Sequence, residues 1–170
     1  VKLISAILCS TAAVGASFAL PALASANDVH CVAERGADVT VLSGTTGCRA
    51  ASDTFGHARA AGVSGVGYAR ATEGATAYGI GLAGGIGASE GVGGFPLAIG
   101  HGRDAVALTS VTDPGGSAVA VTIAFEGSRA QVVTADGTVV CLGAAALAWD
   151  ARTGASCLAT PFGRWVVSPA

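Results

Sequence analysis

Between Phe55 and Gly102 nearly every second residue is Gly, Ala or Ser, as in Gly56-His57-Ala58-Arg59-Ala60-Ala61-Gly62 and Ala75-Thr76-Ala77-Tyr78-Gly79-Ile80-Gly81. Period two is a strand signal, because successive side chains of an extended chain point to opposite faces. The beats pass through Ala58 and Ala60, then Gly65, Gly67, Ala69 and Ala71. Ala75, Ala77, Gly79 and Gly81 follow, then Ala98 and Gly100. Beyond these the beats turn more apolar, over 105–108, 117–121, 130–133 and 138–140. Their starts recur at short, regular intervals, separated by Gly, by Asp113-Pro114-Gly115-Gly116 or by Ala135-Asp136-Gly137-Thr138. Short strands with turn signals at such spacing predict a sandwich, a barrel or a solenoid.

Side-chain volume chooses among the three. A sandwich must fill a layer about 10 Å thick with bulky inward residues. Gly and Ala at the alternating positions leave that gap empty, whereas a thin coil stacked close to itself accepts them. The expected fold is all-β: a Gly/Ala-rich β-solenoid or β-roll over 55–110, leading into short antiparallel strands, with disulfide-stapled ends. Disorder competes with this reading, since high Gly content weakens a packed core. Against it, Ile80, Leu82, Ile86, Val92, Phe95, Leu97 and Ile99 recur through the tract and charges are sparse. A collagen helix needs Gly at every third position, and here Gly falls at 79, 81, 84, 85, 87 and 91. A membrane helix over 78–100 is opposed by Glu90, Pro96 and the glycines.

Residues 1–26 carry one cation, Lys2, then an apolar stretch from Leu3 to Leu20, a helix-breaking Pro21 and small residues at Ala24-Ser25-Ala26. These are the parts of a secretory signal peptide with cleavage after Ala26. The expectation is a secreted or cell-envelope protein with no membrane span after cleavage. Its mature region would comprise an N-terminal disulfide-stapled cap over 27–54, the repeat over 55–110, and an antiparallel section with a second stapled cap over 111–170. Cleavage also removes Cys9 and leaves Cys31, Cys48, Cys141 and Cys157. An even set in an oxidising compartment is a disulfide framework. Of the three connectivities, Cys31 with Cys48 and Cys141 with Cys157 closes two short loops of similar length. Sequence alone leaves the other two open. With no C-x-x-C spacing, and His30 the one histidine near a cysteine, no metal or other cofactor is expected.

Eight arginines remain against 11 acidic residues after Lys2 is lost, a formal charge of −3. Those arginines are spread singly, so there is no basic comb for nucleic acid or for an anionic membrane. A Gly/Ala core buries little apolar area per residue, and glycine costs more entropy to order. Stability must then come from stacked backbone hydrogen bonds, caps, disulfides or a second subunit, which motivates self-association as a homo-oligomer. An envelope or extracellular surface is the other expected partner. The stretch 144–149 suits one or two helical turns or a strand about equally. Trp149, Phe162 and Trp165 read as the apolar plug of the C-terminal cap, or as a surface or ligand patch.

Two motifs carry chemistry elsewhere. Gly87-Ala88-Ser89-Glu90-Gly91 matches the nucleophile elbow, which needs a strand-to-helix turn followed in the chain by an acid and a histidine. Only Glu90, adjacent to the serine, stands before His101. Gly79-Ile80-Gly81-Leu82-Ala83-Gly84 matches a dinucleotide fingerprint, but more Gly-rich tract follows it where a helix is required. His57 and His101 would meet only if the coils brought them into register. No catalytic residue is expected.

The stretches Ala61-Gly62-Val63-Ser64-Gly65-Val66-Gly67-Tyr68-Ala69-Arg70-Ala71 and Leu97-Ala98-Ile99-Gly100-His101-Gly102-Arg103-Asp104-Ala105-Val106-Ala107-Leu108 resemble head repeats of trimeric autotransporter adhesins. That resemblance implies a β-roll that trimerises and binds surfaces. As a whole, the chain resembles a family of small secreted actinobacterial proteins of unknown function. The residues that carry this are the N-terminal signal, Gly44-Thr45-Thr46-Gly47-Cys48, Gly87-Ala88-Ser89-Glu90-Gly91, Val140-Cys141-Leu142-Gly143, Ala148-Trp149-Asp150 and Cys157-Leu158-Ala159-Thr160-Pro161-Phe162-Gly163. This second resemblance implies export and disulfides. The expected function is non-enzymatic, structural or adhesive through a repetitive β surface. The alternatives are a secreted small-ligand-binding or inhibitory domain using Trp149 and Trp165, and a serine hydrolase using Ser89.

Overall fold

The computed structural model describes residues 28–112, 118–133 and 137–169. The signal-like segment 1–26 and the turn residues Asp113 and Asp136 lie outside them. Every regular element among the described residues is a strand. β1 (Asp28–Glu34) and β2 (Asp38–Ser43) form the N-terminal end. The stacked body contains β3 (Thr46–Ser52), β4 (His57–Val63), β5 (Val66–Thr72), β6 (Thr76–Leu82) and β7 (Ile86–Val92). It continues through β8 (Phe95–His101), β9 (Val106–Thr112), β10 (Val119–Phe125) and β11 (Arg129–Val133). β12 (Thr138–Leu142), β13 (Ala146–Asp150), β14 (Ser156–Thr160) and β15 (Gly163–Val167) form the C-terminal end.

Successive strands of the body alternate between two sheets, so the chain winds as a β-solenoid of about four coils. β4, β6, β8 and β10 are parallel neighbours in an eight-stranded sheet. β3, β5, β7, β9 and β11 are parallel neighbours in a seven-stranded sheet. His57 pairs with Thr76 and Tyr78 with Leu97, so the steps from β4 to β6 and from β6 to β8 are equal, while the step to β10, where Leu97 pairs with Val121, is longer. Antiparallel strands close both ends. β1 lies on β4 and β2 on β3; at the far end β12 lies on β11, while β13, β14 and β15 extend the sheet beyond β10. The expected all-β solenoid with stapled ends is the observed fold. The composition change near residue 110 does not end the stack, because β10 and β11 still pair in parallel.

The core follows from the alternation. Ala58, Ala60, Ala69, Ala71, Ala77, Ala98, Ala107, Ala120, Ala124 and Ala130 point between the sheets and are buried. Where these positions carry Gly, the opposite backbone is so near that no side chain fits. A Cβ on Gly79 would overlap the carbonyl of Tyr68, one on Gly87 that of Ile80, and one on Gly100 that of Ile86. Toward the C-terminal end the inward residues grow to Val111, Thr122 and Val132. Buried hydroxyls there find partners: Thr109 and Thr122 bond each other at 2.6 Å, and Ser89 donates to the carbonyl of Pro96 at 2.9 Å. Both disulfides cross the gap between sheets, Cys31 to Cys48 from β1 to β3 and Cys141 to Cys157 from β12 to β14. Each closes a loop worth about 3 kcal/mol in the chain-entropy account.

The corners stack as the strands do. Gly84 N donates to Ser64 O, and Asp104 N to Gly84 O at 2.9 Å. Several are two-residue turns with both central residues at positive φ, as in Glu73-Gly74 (54° and 79°) and Ala83-Gly84 (50° and 82°). That geometry is the primed turn, which Gly accepts and other residues resist. The stretch 144–149 enters β13 as a strand, with Ala146 and Ala148 inward and Leu147 and Trp149 outward.

Two glycine substitutions should separate these roles in denaturant unfolding. Gly74→Ala meets nothing within 4 Å but keeps a positive φ, and should cost about 1–2 kcal/mol. Gly79→Ala must push two backbones apart, and should cost about 3 kcal/mol or more.

Candidate functional site

Outward positions obey the same period as the core, and the two sheets differ sharply in what they present. On the seven-stranded sheet, charges recur along the outer rows. Arg49 holds Asp38 through two bonds of 3.1 and 2.7 Å, and Arg70 pairs with Glu90 at 3.0 Å. The Arg49 guanidinium keeps the Asp38 carboxyl below its ordinary pKa, and the same pair raises that of Arg49. Arg129 and Gln131 continue the polar character on β11. A shallow hollow of about 550 Å³ lies among Asp38, Arg49, Asp53, Tyr68 and Arg70, and its charged groups are already paired.

The eight-stranded sheet is different. One row runs Ile80, Ile99, Ile123, Leu147, Leu158 and Trp165 across six strands. Beside it run Tyr78, Leu97, Val121 and Trp149, and on the other flank Leu82, His101 and Phe125. Neighbouring rings touch, Tyr78 with Phe95 at 5.3 Å and His101 with Phe125 at 5.7 Å between centroids. Along the strands from β6 to β15 no Asp, Glu, Lys or Arg among the described residues points outward on this face. Among the described residues of its strands, outward charge lies at the N-terminal end, with Asp28, Glu34 and Arg59; His57 there approaches Glu34 at 3.6 Å. Ile80, Ile99 and Ile123 are half-buried among their row neighbours, while Phe125, Leu147, Leu158 and Trp165 are exposed.

The structure corrects the plug reading of the large aromatics. Trp149 is 43% exposed, Trp165 54% and Phe162 94%. The tryptophans fall on outward beats of β13 and β15, and Phe162 occupies the turn between β14 and β15. Trp149 and Trp165 therefore belong to the apolar face, and Phe162 stands beside it. Sequence reasoning missed the rest of that face, although the signal was present: Tyr78 and Leu97, and Ile80 and Ile99, recur at one coil's spacing in the chain. The small beats dominate the tract and mask the large residues between them.

The motifs that suggested chemistry take structural places. Ser89 lies mid-strand on β7, is 1% exposed and faces the core, away from His101 on the outer side of the opposite sheet. Residues 79–84 form the end of β6 and a turn into β7. His57 and His101 sit on different rows of the sheet, β4 and β8, with β6 between them. Among the described residues, no three His, Cys, Asp or Glu side chains gather as a metal site, and no helix is long and apolar enough to cross a membrane.

One titrating group does hold the fold. Asp53 accepts from the backbone N–H of Glu73 at 2.6 Å, of Phe55 at 3.0 Å and of Gly56 at 2.7 Å, tying two coil corners together. The bond from Glu73 leads in lowering its pKa, which burial partly opposes. A carboxylate with a depressed folded-state pKa adds stability above its unfolded pKa of about 3.9, and that stability is lost as pH falls through the folded value. The melting temperature should therefore drop as the protein is acidified below about pH 4. Asp53→Asn should be less stable at neutral pH and show a smaller acid drop, both read by thermal melts across pH.

Two disulfides in so small a chain point to an oxidising, extracytoplasmic environment. No curated protein and no solved structure matches the chain. The model of a family described as Family of unknown function (DUF6764) matches residues 1–160, and the chain belongs to that family.

Proposed function

We propose that this is a non-enzymatic structural or adhesive protein, secreted or held at the cell envelope, that acts by burying the outer face of its eight-stranded sheet against another apolar surface. The observation that carries this reading is the run from β6 to β15 with no outward-pointing acid, lysine or arginine among the described residues. A binder of charged or polar ligands would need converging polar groups in a concavity; this face offers rows of Ile, Leu, Val and Trp. The adhesin-like resemblance fits the same role, and the actinobacterial resemblance and the signal-like segment at residues 1–26 fit the same location. A hydrolase reading gains nothing from Ser89, whose hydroxyl is committed to Pro96 inside the core. A ligand pocket at Trp149 and Trp165 gains little, since both rings stand on the open sheet.

Retention of dilute, oxidised protein on octyl-agarose tests the assignment. Ile123→Arg, at the centre of the apolar face, should elute at markedly lower stringency than the wild type. Leu108→Arg, an outward substitution on the seven-stranded sheet, should leave retention close to normal. Equal retention of all three proteins would remove the face from the explanation.

A further inference from the structure

The face has the size and composition to be covered by itself. Resting on the functional reading above, we propose that its occupant is the same face of a second copy, packed sheet on sheet about a two-fold axis. The overlap spans β6, β8, β10, β13, β14 and β15 of each copy. Six strands at about 4.8 Å, each five to seven residues at about 3.3 Å, cover on the order of 600 Å² per copy. Doubled, that exceeds the roughly 1,000 Å² a specific interface requires. It stays near the small end of the range, which implies a reversible dimer.

Two features select a second copy and its orientation. The central row, Ile80, Ile99, Ile123, Leu147, Leu158 and Trp165, has its midpoint between Ile123 and Leu147. A two-fold axis there lays the row on itself, as an isologous contact demands. The charged end, with Asp28, Glu34, His57 and Arg59 on β1 and β4, then falls outside the overlap as a polar rim. Stacks running the same way would instead bring Arg59 toward its own copy.

Sedimentation equilibrium of the oxidised chain decides this, over a range from about 1 to about 200 µM. Circular dichroism and a thiol count confirm that each variant is folded with both disulfides closed. The wild type should move from monomer to dimer across the range. Ile123→Arg and, independently, Leu147→Lys should remain monomeric at every concentration, and Leu108→Arg should dimerise like the wild type. In the wild-type dimer, iodide quenching of Trp149 and Trp165 should fall relative to the dilute monomer.

A wild type monomeric throughout overturns the proposal. If Ile123→Arg still loses retention on octyl-agarose, the functional reading survives and the natural surface is another one, such as neutral lipid vesicles that bind the monomer. A dimer that tolerates both face variants but is lost in Val166→Pro also overturns it, placing the contact at the open edge of β15. Dimerisation that depends on the face, with octyl-agarose retention unchanged in the variants, leaves the self-contact standing and sinks the adhesive reading.

Discussion

The near-contact of two backbones across the core governs everything else in this molecule. Gly79, Gly87 and Gly100 stand where the facing strand's carbonyl leaves no room for a methyl group. The sheets are therefore held far closer than the spacing of about 10 Å usual for packed sheets. At that separation few large side chains fit inside, and burial of Ile, Leu or Phe cannot supply the core. The interior gains its stability from dispersion between close backbones and alanines, and from hydrogen bonds that run continuously along the stack.

A thin interior makes the ends and corners decisive. In a body of parallel coils, an end coil exposes an unpaired edge of backbone and one side of the core at once. Here antiparallel strands cover both ends, and a disulfide pins the two sheets together at each end. Inward residues swell from Gly and Ala to Val111, Thr122 and Val132 as the stack nears the C-terminal end, so the gap opens and the hydroxyls of Thr109 and Thr122 bridge it. The corners carry their own ladder, and Asp53 adds three charge-assisted bonds where the coil has no side-chain bulk to fix the bend.

Much of this architecture was legible because period two and residue size are local properties. The alternation of Ala58, Ala60, Ala69, Ala71 and Gly79 announced strands, and their smallness excluded a thick sandwich. The two short loops closed by the cysteine pairs matched the observed bridges. Three things were harder to read. Ser89 resembled a nucleophile because its motif is made of residues that a close-packed strand also selects. The helix option over 144–149 reflected the propensity of alanine, which pairing of β13 with β10 overrides. The apolar outer face is invisible in the linear chain because it exists only once coils stack: Ile80, Ile99 and Ile123 are far apart in sequence and become neighbours through register alone.

The same constraint that empties the interior explains why the large side chains are outside. A chain of this kind must place its Ile, Leu, Phe and Trp residues somewhere, and a gap closed by glycine refuses them. On the seven-stranded sheet they are diluted by Arg49, Arg70, Glu90 and Arg129, which keeps that side in water. On the eight-stranded sheet they line up without interruption from β6 to β15. Lateral contact between neighbours in a row, such as His101 with Phe125, stabilises the stack from its outer side. It also leaves an ordered apolar surface, the one the proposed association would cover. Relative to an ordinary domain the roles of inside and outside are exchanged: the inside sets the geometry, and the outside carries the large apolar side chains whose burial would drive the proposed association.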